Sequence, residues 1–111
     1  MSPRLASGIW VQAYLQRLRL ADIPVYVTRK GDAMAGAVVV KVALLDGNAR
    51  AYERGFDLMS GARLWHEIAA GPEPEVDAQL SRAAGRDPDL WILELESRDG
   101  RSLLDEEGLR D

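Results

Sequence analysis

Lys41, Arg50, Tyr52 and Arg54 are the residues whose types and spacing come closest to a binding site. Residues 36–45 and 49–54 read as two strands, and Asp46-Gly47-Asn48 between them is a strong hairpin signal. A two-residue Asp46-Gly47 turn sets Ala43 opposite Arg50, Lys41 opposite Tyr52 and Val39 opposite Arg54. On that register the four side chains gather on one face, while Val38, Val40, Val42 and Leu44 share the core side with Ala49 and Ala51. Three cations around an aromatic can hold an anion or stack a base, and Arg and Tyr are equally the residues of protein interfaces. A loop longer by one residue would reverse the pairing of the faces. Trp10, Trp65 and Trp91 sit among apolar neighbours and read mainly as core, while the strand face that Trp65 shares with Arg63 and Glu67 also makes it a candidate anchor for a partner.

Other chemistry-bearing residues lack the company that catalysis needs. His66, the only histidine, alternates with Leu64 and Ile68 and reads as a core or half-buried residue; Glu67 beside it points to the opposite face. Glu94 and Glu96 lie on one face of a strand about 7 Å apart, a spacing that suits paired carboxylates, without an identifiable proton acceptor. Asp87, Asp89 and Asp99 do not follow a calcium-loop pattern. Residues 29–36 contain Gly31 and Gly36 but have neither the Lys-Ser/Thr ending of a phosphate loop nor a following helix, so they read as a flexible strand-to-strand loop. With no cysteine in the chain, thiol chemistry, disulfides and Cys metal sites are excluded. No catalytic residue, metal or cofactor is expected.

The elements that carry these residues follow from periodicity. In 8–21, Trp10, Val11, Tyr14, Leu15 and Leu18 form an apolar helical stripe, with Ser7 as the expected cap. Ile9 and Leu20 fall off it, a hint of a second contact surface. Residues 24–29 are β-branched and aromatic, hence a strand. Residues 63–68 alternate as a fourth strand. Pro72, Glu73 and Pro74 suit a helix start. Val76, Leu80, Ala83 and Ala84 continue that helix, Gly85 is the expected stop, and 90–96 is the last strand. The order α-β-β-β-β-α-β implies an α+β fold, a mostly antiparallel five-stranded sheet with both helices on one face.

The 111 residues suit a single domain, with the acidic stretch 105–111 packed loosely. Hydrophobic residues make up 47% and charged residues 29%, a globular balance rather than a disordered one. Residues 1–54 hold eight Lys/Arg against four Asp/Glu, and 55–111 hold six against fourteen, so the net charge of −4 averages a basic half and an acidic half. Net acidity disfavours a dedicated nucleic-acid binder. No apolar run approaches the ~20 residues of a membrane span, and the start lacks the pattern of a signal peptide, which leads to a cytoplasmic expectation.

The segments Arg4-Leu5-Ala6-Ser7-Gly8-Ile9-Trp10-Val11 with Tyr14-Leu15, Arg29-Lys30-Gly31-Asp32 with Ala35-Gly36-Ala37-Val38, Asp87-Pro88-Asp89-Leu90-Trp91, and Leu103-Leu104-Asp105 carry a resemblance spanning nearly the whole chain. The chain resembles a family of small alphaproteobacterial proteins, domain of unknown function 1491. The resemblance implies a bacterial protein and carries over no catalytic or binding residue. The functional expectation is a non-enzymatic protein-interaction module that self-associates through an exposed sheet edge or the Trp65 face. The alternative is an anionic-ligand or nucleic-acid module using Lys41, Arg50, Tyr52 and Arg54.

Overall fold

Val38 to Ala43 are buried without interruption, and that run fixes the architecture. A strand buried on both faces must lie inside a sheet covered on both sides. The structure, a computed structural model, describes residues 6–56, 59–61, 63–106 and 109. It contains α1 (Ser7–Leu20), β1 (Val25–Arg29), β2 (Val38–Ala43), β3 (Asn48–Phe56), β4 (Arg63–Pro72), α2 (Glu73–Arg86) and β5 (Trp91–Glu96). The sheet order is β1-β5-β2-β3-β4. Its pairs are antiparallel except β2 with β5, which run parallel. This is the α-β-β-β-β-α-β fold with a mostly antiparallel five-stranded sheet that the periodicities imply.

The helices do not share a face. Trp10, Val11, Tyr14, Leu15 and Leu18 of α1 pack with Val38, Val40, Val42, Leu93 and Leu95. Val76 and Leu80 of α2 pack instead with Val39, Ala49, Ala51 and Ile92 on the other side. The expectation of one covered face is thus corrected to three layers, helix, sheet and helix, because β2 and β5 each bury both alternating sets of side chains. Among the described residues, no helix is long and apolar enough to cross a membrane.

Local chemistry also departs from expectation at several points. Ser7 is the first residue of α1 rather than its cap, and its hydroxyl donates to the Gly36 carbonyl at 2.6 Å. The β2–β3 loop has three residues, Leu45, Asp46 and Gly47, closed by the Leu44 N–H donating to the Asn48 carbonyl. Leu45 and Gly47 adopt φ of 63° and 94°. The Gly47 carbonyl also accepts from the Glu73 N–H, so the first turn of α2 holds the loop in this form. Strand β4 runs to Pro72, beyond the expected 68, because a bulge opposite Ala51 and Tyr52 lets it keep pairing with β3.

Gly85 does not stop α2, which runs on to Arg86 and is closed by the Asp87 N–H on the Ala83 carbonyl. A Cβ at Gly85 would meet nothing within 4 Å. Gly85→Ala should therefore raise stability by about 0.5–1 kcal/mol through the entropy of the unfolded chain, seen as a higher urea midpoint at unchanged slope.

The segment after β5 crosses the α1 side of the sheet as a strap. Leu103 and Leu104 are buried, and the Ser102 carbonyl accepts from the Tyr14 hydroxyl at 2.7 Å. Of the stretch expected to pack loosely, residues 107–108 and 110–111 lie outside the described residues. Leu109 is buried, and its carbonyl accepts from Trp10 Nε1 at 3.2 Å.

Candidate functional site

The hairpin register decides which candidate residues meet. Val42 faces Arg50, Val40 faces Tyr52 and Lys41 faces Ala51. The longer loop shifts pairing by one residue, so Arg50 and Tyr52 take the α1 side and Lys41 the α2 side. The single cationic face expected from the sequence is divided between two sides of the sheet.

Lys41 is only 3% exposed. Its Nζ donates to Glu73 Oε2 at 2.6 Å, Asp77 Oδ1 at 2.6 Å and Glu94 Oε1 at 3.0 Å. Burial alone would lower the ammonium pKa, but hydrogen bonds to Asp77, Glu73 and Glu94 together outweigh it and hold the group above its ordinary value. The three carboxylates are the one acidic set among the described residues close enough to share a metal ion, and the ammonium already lies among them. Sequence reading paired Glu94 with Glu96 instead. The missed signal was Glu73 and Asp77, four apart in the first turns of α2 and so on one helix face. Glu96 hydrogen-bonds Tyr26 across the β1–β5 pair and raises the phenol's pKa.

These groups give a pH prediction. The folded pKa of Lys41 lies above 10.5, and those of Tyr14, buried under the strap, and Tyr26 lie above 10.0. Each folded group keeps its proton where the unfolded one loses it, so its contribution is complete below those values and lost as pH rises through the folded pKa. Urea midpoints should be flat around pH 8 and fall above about pH 10. A midpoint that holds or rises there would contradict the assignment.

On the α1 side the aromatic residues form a connected group. Trp10 stacks on Tyr14 at 4.8 Å and meets Trp65 at 5.3 Å, tilted by 36°. The Arg54 guanidinium lies 5.3 Å from the Trp10 ring, a cation–π distance. Arg50 approaches Glu67 at 3.9 Å, with both side chains half exposed, a pairing worth little in water. Trp65 Nε1 is buried with no hydrogen-bond partner among the described residues. That costs about 1–3 kcal/mol, which the ring's packing on Trp10 must offset. His66 is exposed, a correction to the half-buried expectation, because Glu53 and not an apolar residue stands opposite it.

Between this aromatic group and the strap lies an open cleft of about 670 Å³. Tyr52, Leu64 and Trp65 line it from β3 and β4, and residues 100–106 line it from the strap. Two of the five sequence candidates, Tyr52 and Trp65, thus meet in one cavity. Lys41, Arg50 and Arg54 do not line it. The strap residues were missed because 98–101 read as a turn and the following leucines as the approach to a loose tail. Leu103 and Leu104, adjacent apolar residues after a turn, were the available signal that the chain returns to the core.

Fold and cleft define a small three-layer α+β protein with one long exposed sheet edge, β4, beside a cavity. The chain belongs to the DUF1491 family: the family model described as "Protein of unknown function (DUF1491)" matches residues 5–105. It is similar to the crystal structure of a DUF1491 family protein from Caulobacter crescentus, with 42% identity, a TM-score of 0.79, and 92% of this chain and 94% of that chain covered. An NMR structure of a DUF1491 family protein from the same organism gives 42% identity, a TM-score of 0.80, and 95% and 96% coverage. The solution structure of a protein from A. tumefaciens is 29% identical, with a TM-score of 0.71 and 86% and 87% coverage. The search of curated proteins gives no match.

Proposed function

We propose that the protein is a non-enzymatic, cytoplasmic interaction module and that the cleft beside β4 is its recognition site. The observation that carries this reading is the position of the cavity at a sheet edge. An extended segment pairing with β4 would satisfy the strand's free backbone groups while seating a side chain against Tyr52 and Trp65. Leu64, 43% exposed on that strand, and Met59, 93% exposed before it, add apolar surface where such a segment would lie. A second copy can meet these terms by joining two five-stranded sheets edge to edge.

Two variants test the reading, Leu64→Arg at the edge and Tyr52→Ala in the cleft. Sedimentation equilibrium and pull-down with the parent chain should reveal a dimer or a protein partner, and both variants should lose it. A parent that stays monomeric at high concentration with no partner recovered, or a complex that both variants retain, would overturn it.

A further inference from the structure

Ile9 and Leu20, which lie off the buried stripe of α1, are the ends of a second stripe. Ile9, Ala13, Gln16 and Leu20 are all exposed, Ile9 at 59% and Leu20 at 76%. At about 100° per residue they fall within about 60° of one another, on the side of the helix opposite Val11, Tyr14 and Leu18. Met34 extends the stripe beyond Ile9. The loop that carries it docks on the first turn of α1, where the Ser7 and Gly8 N–H groups donate to the Met34 and Ala33 carbonyls, and its side chain is 73% exposed.

Single exposed apolar residues are ordinary on a protein surface. What distinguishes these is their order, which reads the same from either end. Ile9 and Leu20 are equally far from a midpoint between residues 14 and 15, and so are Ala13 and Gln16. An identical helix laid antiparallel about a two-fold axis at that midpoint sets Ile9 and Met34 against the partner's Leu20. The symmetry repeats this contact about 16 Å away along the helix. Ala13, small and near the centre, lets the two helices approach closely.

The polar groups match in the same arrangement. Gln12, Gln16 and Arg19 lie on the flank of the stripe that also holds Gly8. A glutamine amide both donates and accepts, so Gln12 and Gln16 can pair with the partner's Gln16 and Gln12. Arg19 is carried to the partner's first turn, beside the loop in which the Asp32 carboxylate accepts from the Met34 and Ala35 N–H groups. Cation and anion therefore arrive on the same side of the contact. Arg17, on the other flank, is already held by Glu106 at 3.5 Å. We infer that this face of α1 binds a second copy of the chain, antiparallel and about a two-fold axis. A pattern symmetric about its own centre is what an isologous contact requires, and neither an unrelated protein nor a lipid surface calls for it. The patch, about 21 Å long and one helix wide, is smaller than the ~800 Å² per partner of a stable complex, so the association is weak. It goes beyond the β4 reading by assigning a separate surface.

The test is sedimentation of the full chain from micromolar to millimolar concentration, with two single variants and their mixture. The parent should dimerise as concentration rises. Ile9→Lys and Leu20→Glu should each weaken association about 100-fold, roughly tenfold at each of the two symmetric contacts. Both side chains are exposed, so the variants should keep the parent's urea midpoint. Mixed in equal amounts they should associate again, to within about tenfold of the parent. In the mixed dimer the new lysine faces the new glutamate, and the native Ile9 faces the native Leu20. A parent that stays monomeric at millimolar concentration, variants that associate like the parent, or a mixture no larger than its components would overturn the inference. Placed in the Leu20→Glu background, Leu64→Arg and Tyr52→Ala report the β4 contact alone, so the two surfaces can fail independently.

Discussion

Lys41→Met should lower stability by about 3 kcal/mol, with a reduced urea midpoint at unchanged slope. Removing one partner of a buried ionic group costs about 3–5 kcal/mol, because the charges left behind lose their compensation. The lower end applies here: Asp77 is 53% exposed and Glu73 36%, so water can reach both carboxylates after the ammonium is gone. Glu94, the least exposed at 29%, keeps the larger share of the penalty. The cost should shrink when Glu73→Gln, Asp77→Asn and Glu94→Gln accompany the change, since a neutral set no longer requires a cation. A Lys41→Met chain as stable as the parent would show that the three carboxylates are solvated independently of the lysine.

The second large effect is expected at Gly36. An added Cβ would lie 2.3 Å from the Asp89 carbonyl oxygen, 2.8 Å from the Asp32 oxygen and 2.9 Å from the Asp32 nitrogen. All three are backbone atoms, so no side chain can turn aside. Gly31 meets the same Asp89 oxygen at 2.3 Å. Two glycines thus let the loop before β2 lie flat on the turn before β5, where the Asp32 N–H donates to the Asp89 carbonyl and Trp91 Nε1 donates to the Asp32 carbonyl. Gly36→Ala should cost about 3 kcal/mol, the upper part of the range for overpacking, because relief means separating the two segments. Near-parent stability would contradict the close approach. Gly85→Ala, with open space around it, is the internal control.

This pair of glycines also shows where sequence reading stops. Gly31 and Gly36 look alike in a phosphate loop, a mobile linker and a tightly apposed turn, and only the position of Asp89, more than fifty residues on, separates the three. The elements themselves were legible because their signals are local: the Trp10 to Leu18 stripe, the run of valines in β2, and proline with glutamate at the start of α2. The face assignments were not. They depend on one extra residue in the loop at Leu45 to Gly47, and that residue is kept by a hydrogen bond from Glu73, two strands further along the chain. The candidate site divided the same way. Tyr52 and Trp65 were visible as aromatics sharing strand faces with charged residues, but their cavity exists only because the strap folds back over them.

The placement of β5 between β1 and β2 has a consequence for how the molecule is assembled. The two strands that flank it never pair with each other, and the seam along the middle of the sheet joins Val38 to Trp91 and Val25 to Leu95. Contacts this far apart in sequence form late, since a long stretch of chain must close before they repay its entropy. Until β5 is in place, β1 has no strand partner, and α1, packed on Val38, Val40 and Val42, bridges the slot between it and the β2–β3–β4 meander. A chain ending at residue 90 should show no cooperative unfolding transition, while β5 supplied as a separate peptide should restore one. On that view the final strand acts as a keystone, and the edges of β1 and β2 that face the slot are a hazard only for as long as it is missing.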